Sequence, residues 1–316
     1  MDTDFYRSQG ITASELMQKS FPEPKWAIPG ILPEGLNILG GKPKKGKSIL
    51  ALNICLDIAL GKPALGKIHI EGGSVIYFAL EDNYRRLQER MATMLGDDDA
   101  PERLTLFNEI RGDDNSKLIK LEQVIKNHDN PRLIVIDTLA KFYPSKSANP
   151  NYDEDYKRAA IIKEIADKNK ISILLIHHLR KTEADDVMDT FLGSQGLTGA
   201  ADGLLAMVEG EGQSDSNLII TGRDVEKTAF GLRFNPDTLR WIVLGNASEI
   251  RSTPKQQKIA DVLEKSTEPL TPKLIAEKTG LMEISIENTI NFYPKFRNKV
   301  AGKKVKEVAI CVGMTC

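Results

Sequence analysis

The run Gly41-Lys42-Pro43-Lys44-Lys45-Gly46-Lys47-Ser48 constrains this chain more than any other feature. It has the spacing GxxxxGK[ST], and its flanks are of the kind that spacing requires. Leu36-Asn37-Ile38-Leu39 before it reads as a short buried strand. The Leu-, Ala- and Ile-rich segment from about Ser48 to Leu60 reads as a helix, ended by Gly61 and Pro63. Glycines let backbone N–H groups wrap around phosphate oxygens, and the start of the following helix adds a positive dipole end. Lys47 is expected to reach the β- and γ-phosphates, and the Ser48 hydroxyl to bind Mg²⁺. The expected ATP-binding loop thus runs through Gly41, Lys42, Pro43, Lys44, Lys45, Gly46, Lys47 and Ser48 to Ile49.

Around this loop the chain alternates between apolar runs and charged helical segments. Val75–Leu80, Leu104–Phe107, Leu133–Ile136 and Ile171–Ile176 are expected strands, with helices from about Asn83 to Leu95 and from Asp153 to Lys168. Residues 1–34 read as a lead-in: Thr12 and Glu15 form a capping box for a short helix, and Pro22, Pro24, Pro29 and Pro33 force extended chain. Four closely spaced runs, Gly203–Val208, Asn217–Thr221, Phe230–Phe234 and Arg240–Leu244, are expected to be antiparallel strands. The fold class that follows is α/β, a mainly parallel core with an antiparallel extension over residues 35–250.

Polar residues at the ends of the apolar runs are the candidates for chemistry. Asp137 follows Leu133–Ile136 and suits a metal-holding carboxylate. Glu81 follows Val75–Leu80, at the carboxyl edge where a nucleotide crevice forms, and suits a base for water; Asp82 beside it is the rival. His177 and His178 follow Ile171–Ile176, and one of them can hydrogen-bond a γ-phosphate. No Cys or His stands at a spacing that would make these two a zinc site.

With these positions in place, the chain resembles the RecA-like P-loop ATPases, and within them the RepA group of plasmid and phage replicative helicases. The resemblance begins at Trp26-Ala27-Ile28-Pro29-Gly30-Ile31-Leu32-Pro33. It continues through Phe78-Ala79-Leu80-Glu81-Asp82, Ile136-Asp137, Ile176-His177-His178 and Gly222-Arg223-Asp224 to about Gly245. It implies that Glu81 is the catalytic glutamate and His178 the γ-phosphate sensor. It implies that the stretch from Arg180 to Gly199 faces a channel holding single-stranded DNA, with Arg180, Lys181, Ser194 and Gln195 as the contacts. It also implies that Arg223, with Lys227 as the alternative, is an arginine finger inserted into a neighbouring subunit's site. The implied cofactors are ATP and Mg²⁺. The implied partners are single-stranded DNA, further copies of the chain in a ring-shaped homo-oligomer (a hexamer), and a replication initiator or primase. The expected function is that of an oligomeric replicative DNA helicase; the alternative is an ATP-switched DNA-binding replication regulator or a recombinase-like ATPase without unwinding.

Charge divides the chain near Ser252-Thr253-Pro254. Residues 251–316 carry twelve Lys/Arg against seven Asp/Glu, about +5, while the preceding residues carry 31 against 37, about −6. In this basic segment, a helix over Pro254–Lys265, a second opened by Leu270-Thr271-Pro272, a third over Glu283–Tyr293 and an alternating strand at Val305–Val312 spell a winged helix-turn-helix. Its basic residues gather at Lys295, Arg297, Lys299, Lys303, Lys304 and Lys306, on the wing side, so DNA contact and protein docking both remain open. Three cysteines without a CxxC pair, no apolar run of membrane-spanning length and an acidic, polar start point to the cytoplasm, with no membrane partner.

Overall fold

Val75–Leu80 and Leu133–Ile136 are apolar throughout, so neither face of such strands can be left to water. In the computed structural model they lie inside one sheet covered on both faces. Residues 10–144, 152–178, 195–210 and 212–247 are described, and beyond them 258–259, 262–263, 266, 270–282 and 286.

The first described elements are α1 (Ala13–Gln18), β1 (Trp26–Ile28), β2 (Leu32–Pro33), β3 (Gly35–Gly41) and α2 (Lys47–Leu60). Then come β4 (Ser74–Ala79), α3 (Tyr84–Leu95), β5 (Leu104–Phe107), α4 (Asp114–Lys126), β6 (Pro131–Asp137), α5 (Leu139–Phe142), α6 (Tyr152–Asn169) and β7 (Ser172–His178). After α7 (Gln195–Ala200) follow β8 (Gly203–Glu209), β9 (Ser216–Gly222), β10 (Thr228–Asn235) and β11 (Arg240–Asn246), with α8 (Pro272–Thr279) further on. Nine strands form the main sheet in the order β11-β10-β9-β8-β3-β7-β6-β4-β5. The pairs from β8 through β3, β7, β6 and β4 to β5 are parallel; β9, β10 and β11 are added antiparallel.

Strand alternation sorts the apolar runs into two cores. Val75, Tyr77, Leu133, Val135, Leu174 and Ile176 face α2. Ile76, Phe78, Ile134, Ile136, Ile173 and Leu175 face the side covered by α4, α5 and α6. Helix α2 buries eleven of its fourteen residues, among them the polar Asn53 and Asp57. These two look toward β11. Asn53 Oδ1 accepts the Trp241 N–H at 2.7 Å, Asp57 Oδ2 accepts from Asn53 Nδ2 at 2.9 Å and from the Leu65 N–H at 3.0 Å, and Arg240 pairs with Asp57. The Val243 N–H completes the seam by donating to Leu65 O at 3.0 Å.

The four closely spaced runs are antiparallel to one another as expected, and the first of them, β8, also pairs parallel with β3 and so joins this extension to the core. The chain between β7 and β8 passes through α7, which lets β8 return in the direction of β3. Helix α4, between β5 and β6, supplies the crossover that those two parallel strands need and is absent from the sequence reading. In the basic C-terminal segment, α8 has the expected Thr271 cap and N1 proline. Ile275 of this helix clusters with Ile259, Leu263, Leu270 and Ile286. The charge step near residue 251, most of the first and third helices, and the wing lie outside the described residues.

The seam makes stability depend on pH. Burial pushes the Asp57 carboxyl up to about 6 from its usual 3.8, with Arg240 opposing the rise. Because the folded pKa is the higher one, the folded state holds a proton that the unfolded chain releases. Stability from this group is full below pH ~4 and is lost as pH rises through about 6. Arg240→Ala removes the compensating charge and is expected to cost about 3–5 kcal/mol at pH 8. It should cost clearly less at pH 5, where Asp57 is protonated. Urea denaturation of both proteins at the two pH values checks this, and equal losses would contradict it.

Candidate active site

Strands β3, β7, β6 and β4 are consecutive and parallel, so their carboxyl ends share one edge. β3 ends at Gly41, β7 at His178, which is the register partner of Gly41, and β6 at Asp137, the register partner of Ile176 and Ala79. Glu81 follows β4 by two residues.

The loop leaves β3 where the backbones are closest. A Cβ on Gly41 would lie 2.6 Å from the Met207 carbonyl of β8, so only glycine fits between the two strands there. Gly46 caps α2 with φ +89°, in the left-handed region. Lys47 and Ser48 begin the helix. The Lys47 side chain is buried, and its Nζ donates to Gly41 O at 2.8 Å and Lys42 O at 2.9 Å. Burial lowers its pKa; the charges of Asp137 and Glu81 oppose that, which places both carboxylates within electrostatic reach of the ammonium. Lys45 reaches Glu209 at 3.6 Å, an exposed pair of little energetic weight.

Asp137 is buried and accepts the Tyr77 hydroxyl at 2.9 Å. Burial and the Asp137 charge push the Tyr77 phenol up, so it stays a neutral donor. Glu81 and Asp82 are separated by their partners. Asp82 pairs with Arg86 at 2.7 Å and with Arg90, both on α3, whose cap is Asn83. Glu81 instead accepts from Thr138 Oγ1 at 2.9 Å, which ties it to the residue after Asp137. Tyr77 and Thr138, which hold the two carboxylates, are missed by the sequence reading. The adjacency of Thr138 to Asp137 is the only signal for either.

Ser48 supplies a hydroxyl and Asp137 a carboxylate, the hard oxygen donors that suit Mg²⁺. Magnesium takes one or two carboxylates and fills the rest with water and phosphate oxygens, so these two residues are a sufficient protein contribution. Gln195 opens α7; Arg180, Lys181 and Ser194 lie outside the described residues.

Arg223 and Lys227 sit elsewhere, in the connection between β9 and β10. Gly222 pairs with Gly203, and Gly203 with Asn37, so Arg223 is level with the start of β3. Four strand residues from Asn37 to Gly41 put the loop about 13 Å beyond that level. The guanidinium instead lies 3.6 Å from Asp202, whose carboxylate also accepts from Lys163 at 2.6 Å and from the Leu36 N–H at 3.0 Å.

Residues 6–184, more than half of the chain, match the family described as AAA domain. The chain belongs to this family. It is a RecA-like P-loop ATPase, and two solved structures share its fold. One is the ATPase domain of G40P, at 15% identity and a TM-score of 0.54, covering 67% of this chain and 85% of that one. The other is a DnaB-like replicative helicase, described with its interactions with primase, at 16% identity and a TM-score of 0.52, covering 66% of this chain and 57% of that one. The chain thus spans little more than half of the second structure. No curated protein matches it.

For this AAA-domain ATPase the contrast between Glu81 and Asp82 is testable. Glu81→Gln is expected to retain ATP while turnover falls by roughly 10²–10⁴-fold, the range for a lost general base. Asp82→Asn is expected to loosen the start of α3 and leave turnover near that of the parent. Steady-state ATPase assays with nucleotide titrations distinguish them, and the reverse pattern would move the base to Asp82.

Proposed function

We propose that this chain is a Mg²⁺-dependent ATPase acting on single-stranded DNA, a RepA-like oligomeric replicative DNA helicase. The observation that carries the reading is the shared carboxyl edge of β3, β7, β6 and β4, with the phosphate loop, His178, Asp137 and Glu81 at their ends. In this reading the loop N–H groups and Lys47 hold the phosphates, and Lys47 exchanges the carbonyls of Gly41 and Lys42 for phosphate oxygens. Glu81, oriented by Thr138, accepts a proton from a water whose oxygen attacks the γ-phosphorus as the bond to the bridging oxygen of ADP breaks. Mg²⁺, held through Ser48 and Asp137, supplies charge neutralisation at the phosphates. His178 reads the γ-phosphate and passes its state to residues 180–199, which follow directly.

Arg223 is assigned to the oligomer in this reading. It lies too far from its own phosphate loop to take part there, so a finger role requires the site of a neighbouring copy. Residues 251–316 form a winged helix-turn-helix in this reading, which the capped α8 and its separate apolar cluster support. No described helix is long and apolar enough to cross a membrane.

The direct test is the ATPase rate with and without single-stranded DNA, with oligomer mass and unwinding of a forked duplex measured in parallel. Stimulation by the strand, a ring-sized mass and ATP-dependent unwinding are expected. Slow turnover indifferent to DNA would favour the ATP-switched regulator; helical filaments without unwinding would favour the recombinase-like ATPase.

Arg223 allows a second test. Arg223→Ala subunits retain their own phosphate loop, and Glu81→Gln subunits retain their arginine. Co-expressing the two inactive variants is therefore expected to restore part of the activity. Loss of a finger arginine costs about 10³–10⁵-fold, so even a small share of complemented sites rises above background. Verified mixed oligomers as inactive as either parent would remove Arg223 from the site and make Lys227 the next residue to test.

A further inference from the structure

Trp241 has a buried N–H that is left unused among the described residues. The residue is 6% exposed, and its indole Nε1 finds no acceptor among the described residues. Leaving such a donor unpaired inside a protein is unfavourable, and native exceptions call for an explanation. The rest of the residue is firmly held. Its backbone N–H donates to Asn53 of α2 at 2.7 Å, the preceding Arg240 pairs with Asp57 of the same helix, and its ring packs on Phe234 at 5.0 Å between centroids. The indole is therefore fixed relative to α2, and what it is fixed against is the phosphate loop. A Cβ on Gly46 would lie 3.0 Å from Cζ2, 3.4 Å from Nε1 and 3.5 Å from Cε2 of Trp241.

We propose that Trp241 is a positioning residue of the nucleotide site, whose indole N–H bonds to the Lys45 carbonyl when a nucleoside di- or triphosphate occupies the loop. The proposal rests on the reading of this loop as the phosphate cradle. Of the two peptide units flanking Gly46, the one after it is already committed, because Gly46 O accepts the Leu50 N–H at 2.8 Å. The one before it joins Lys45 to Gly46. A trans peptide is planar and its N–H and C=O point in opposite directions. A phosphate that draws the Gly46 N–H into the cradle therefore turns the Lys45 carbonyl outward; at φ +89° the Cβ direction of Gly46 lies beside that carbonyl, and the indole edge stands against that direction. The loop is also the segment that must reorganise on binding, since the Lys47 ammonium now sits on Gly41 O and Lys42 O. The unpaired donor is thus satisfied in the nucleotide-bound state and left unsatisfied without it, so nucleotide binding and this hydrogen bond favour each other.

This arrangement has a signature that a merely structural tryptophan lacks. Trp241→Phe keeps an aromatic ring and removes only the donor and part of the ring area. A second variant carries β-(3-benzothienyl)alanine at position 241, which keeps the bicyclic shape and replaces the N–H by sulfur. In both, the nucleotide-free protein is expected to melt at or above the temperature of the parent in the benzothienyl case and close to it for phenylalanine. Affinity for ADP and for a non-hydrolysable ATP analogue, by calorimetry, is expected to fall roughly threefold to tenfold, the value of one hydrogen bond. Trp26 is the chain's other tryptophan. In a Trp26→Phe background, the emission of Trp241 is expected to change saturably with nucleotide, with a midpoint matching calorimetry, and to stay constant when Lys47→Ala is added. Parent-like affinity in the benzothienyl variant would overturn the proposal while leaving the phosphate loop intact, and so would emission indifferent to bound nucleotide. Failure of the parent protein to bind either nucleotide would overturn the reading of the loop, and this proposal with it.

Discussion

The contact on which the site depends is the approach of β8 to Gly41. β3 is paired on both sides to its last residue, with His178 as the partner of Gly41 on one flank and Met207 on the other. The Met207 carbonyl stands 2.6 Å from the place a Cβ of residue 41 would take. Any side chain there would force β8 away and take the loop out of line with α2. With glycine, the strand runs unbroken to the loop, and the parallel register of β3, β7, β6 and β4 fixes where His178, Asp137 and Glu81 stand. The geometry of the edge is thus set by backbone pairing. The side chains on it need only modest local restraints, such as the hydroxyl of Thr138 on Glu81 and that of Tyr77 on Asp137.

The central strands, the loop and the helices that follow them are legible in the sequence because each carries its own local signal. Apolar runs mark β4, β6 and β7, a left-handed glycine cap marks α2, and the Thr12–Glu15 pair marks α1, whose capping box is complete. The order of strands in the sheet is not local and is not legible: nothing within Gly203–Val208 tells that it lies parallel to a strand 166 residues earlier, where Leu36 donates to Asp202. Helix α4 is hidden for a different reason. Only Lys117, Leu121 and Ile125 of its thirteen residues are buried, so its apolar stripe is thin and its periodicity weak. The site divides in the same way. Glu81, Asp137 and His178 can be found because each ends an apolar run. Trp241 cannot, because its relation to Gly46 exists only once β11 has folded over α2.

The sheet also separates two kinds of charge. Its carboxyl edge carries the loop and the carboxylates facing Lys47. Its amino edge carries Asp202, which holds Lys163, Arg223 and the start of β3 together. Lys163 gains from this: its partners Asp202 and Asp167 raise its pKa against the cost of partial burial. One carboxylate thus anchors the beginning of the strand whose end carries the loop, so the two edges are mechanically one object although they are a strand's length apart.

The nine-stranded sheet has two ends, and neither offers a template. At one end, β11 directs the N–H groups of Trp241 and Val243 outward, and both are occupied, by Asn53 and by the Leu65 carbonyl. At the other end, β5 is only four residues long. Short or covered outer strands are how sheet proteins avoid joining edge to edge. Among the described residues, neither end of this sheet therefore presents a long unpaired row of N–H and C=O groups to a further strand, and the ladder stops where its own side chains and loops close it.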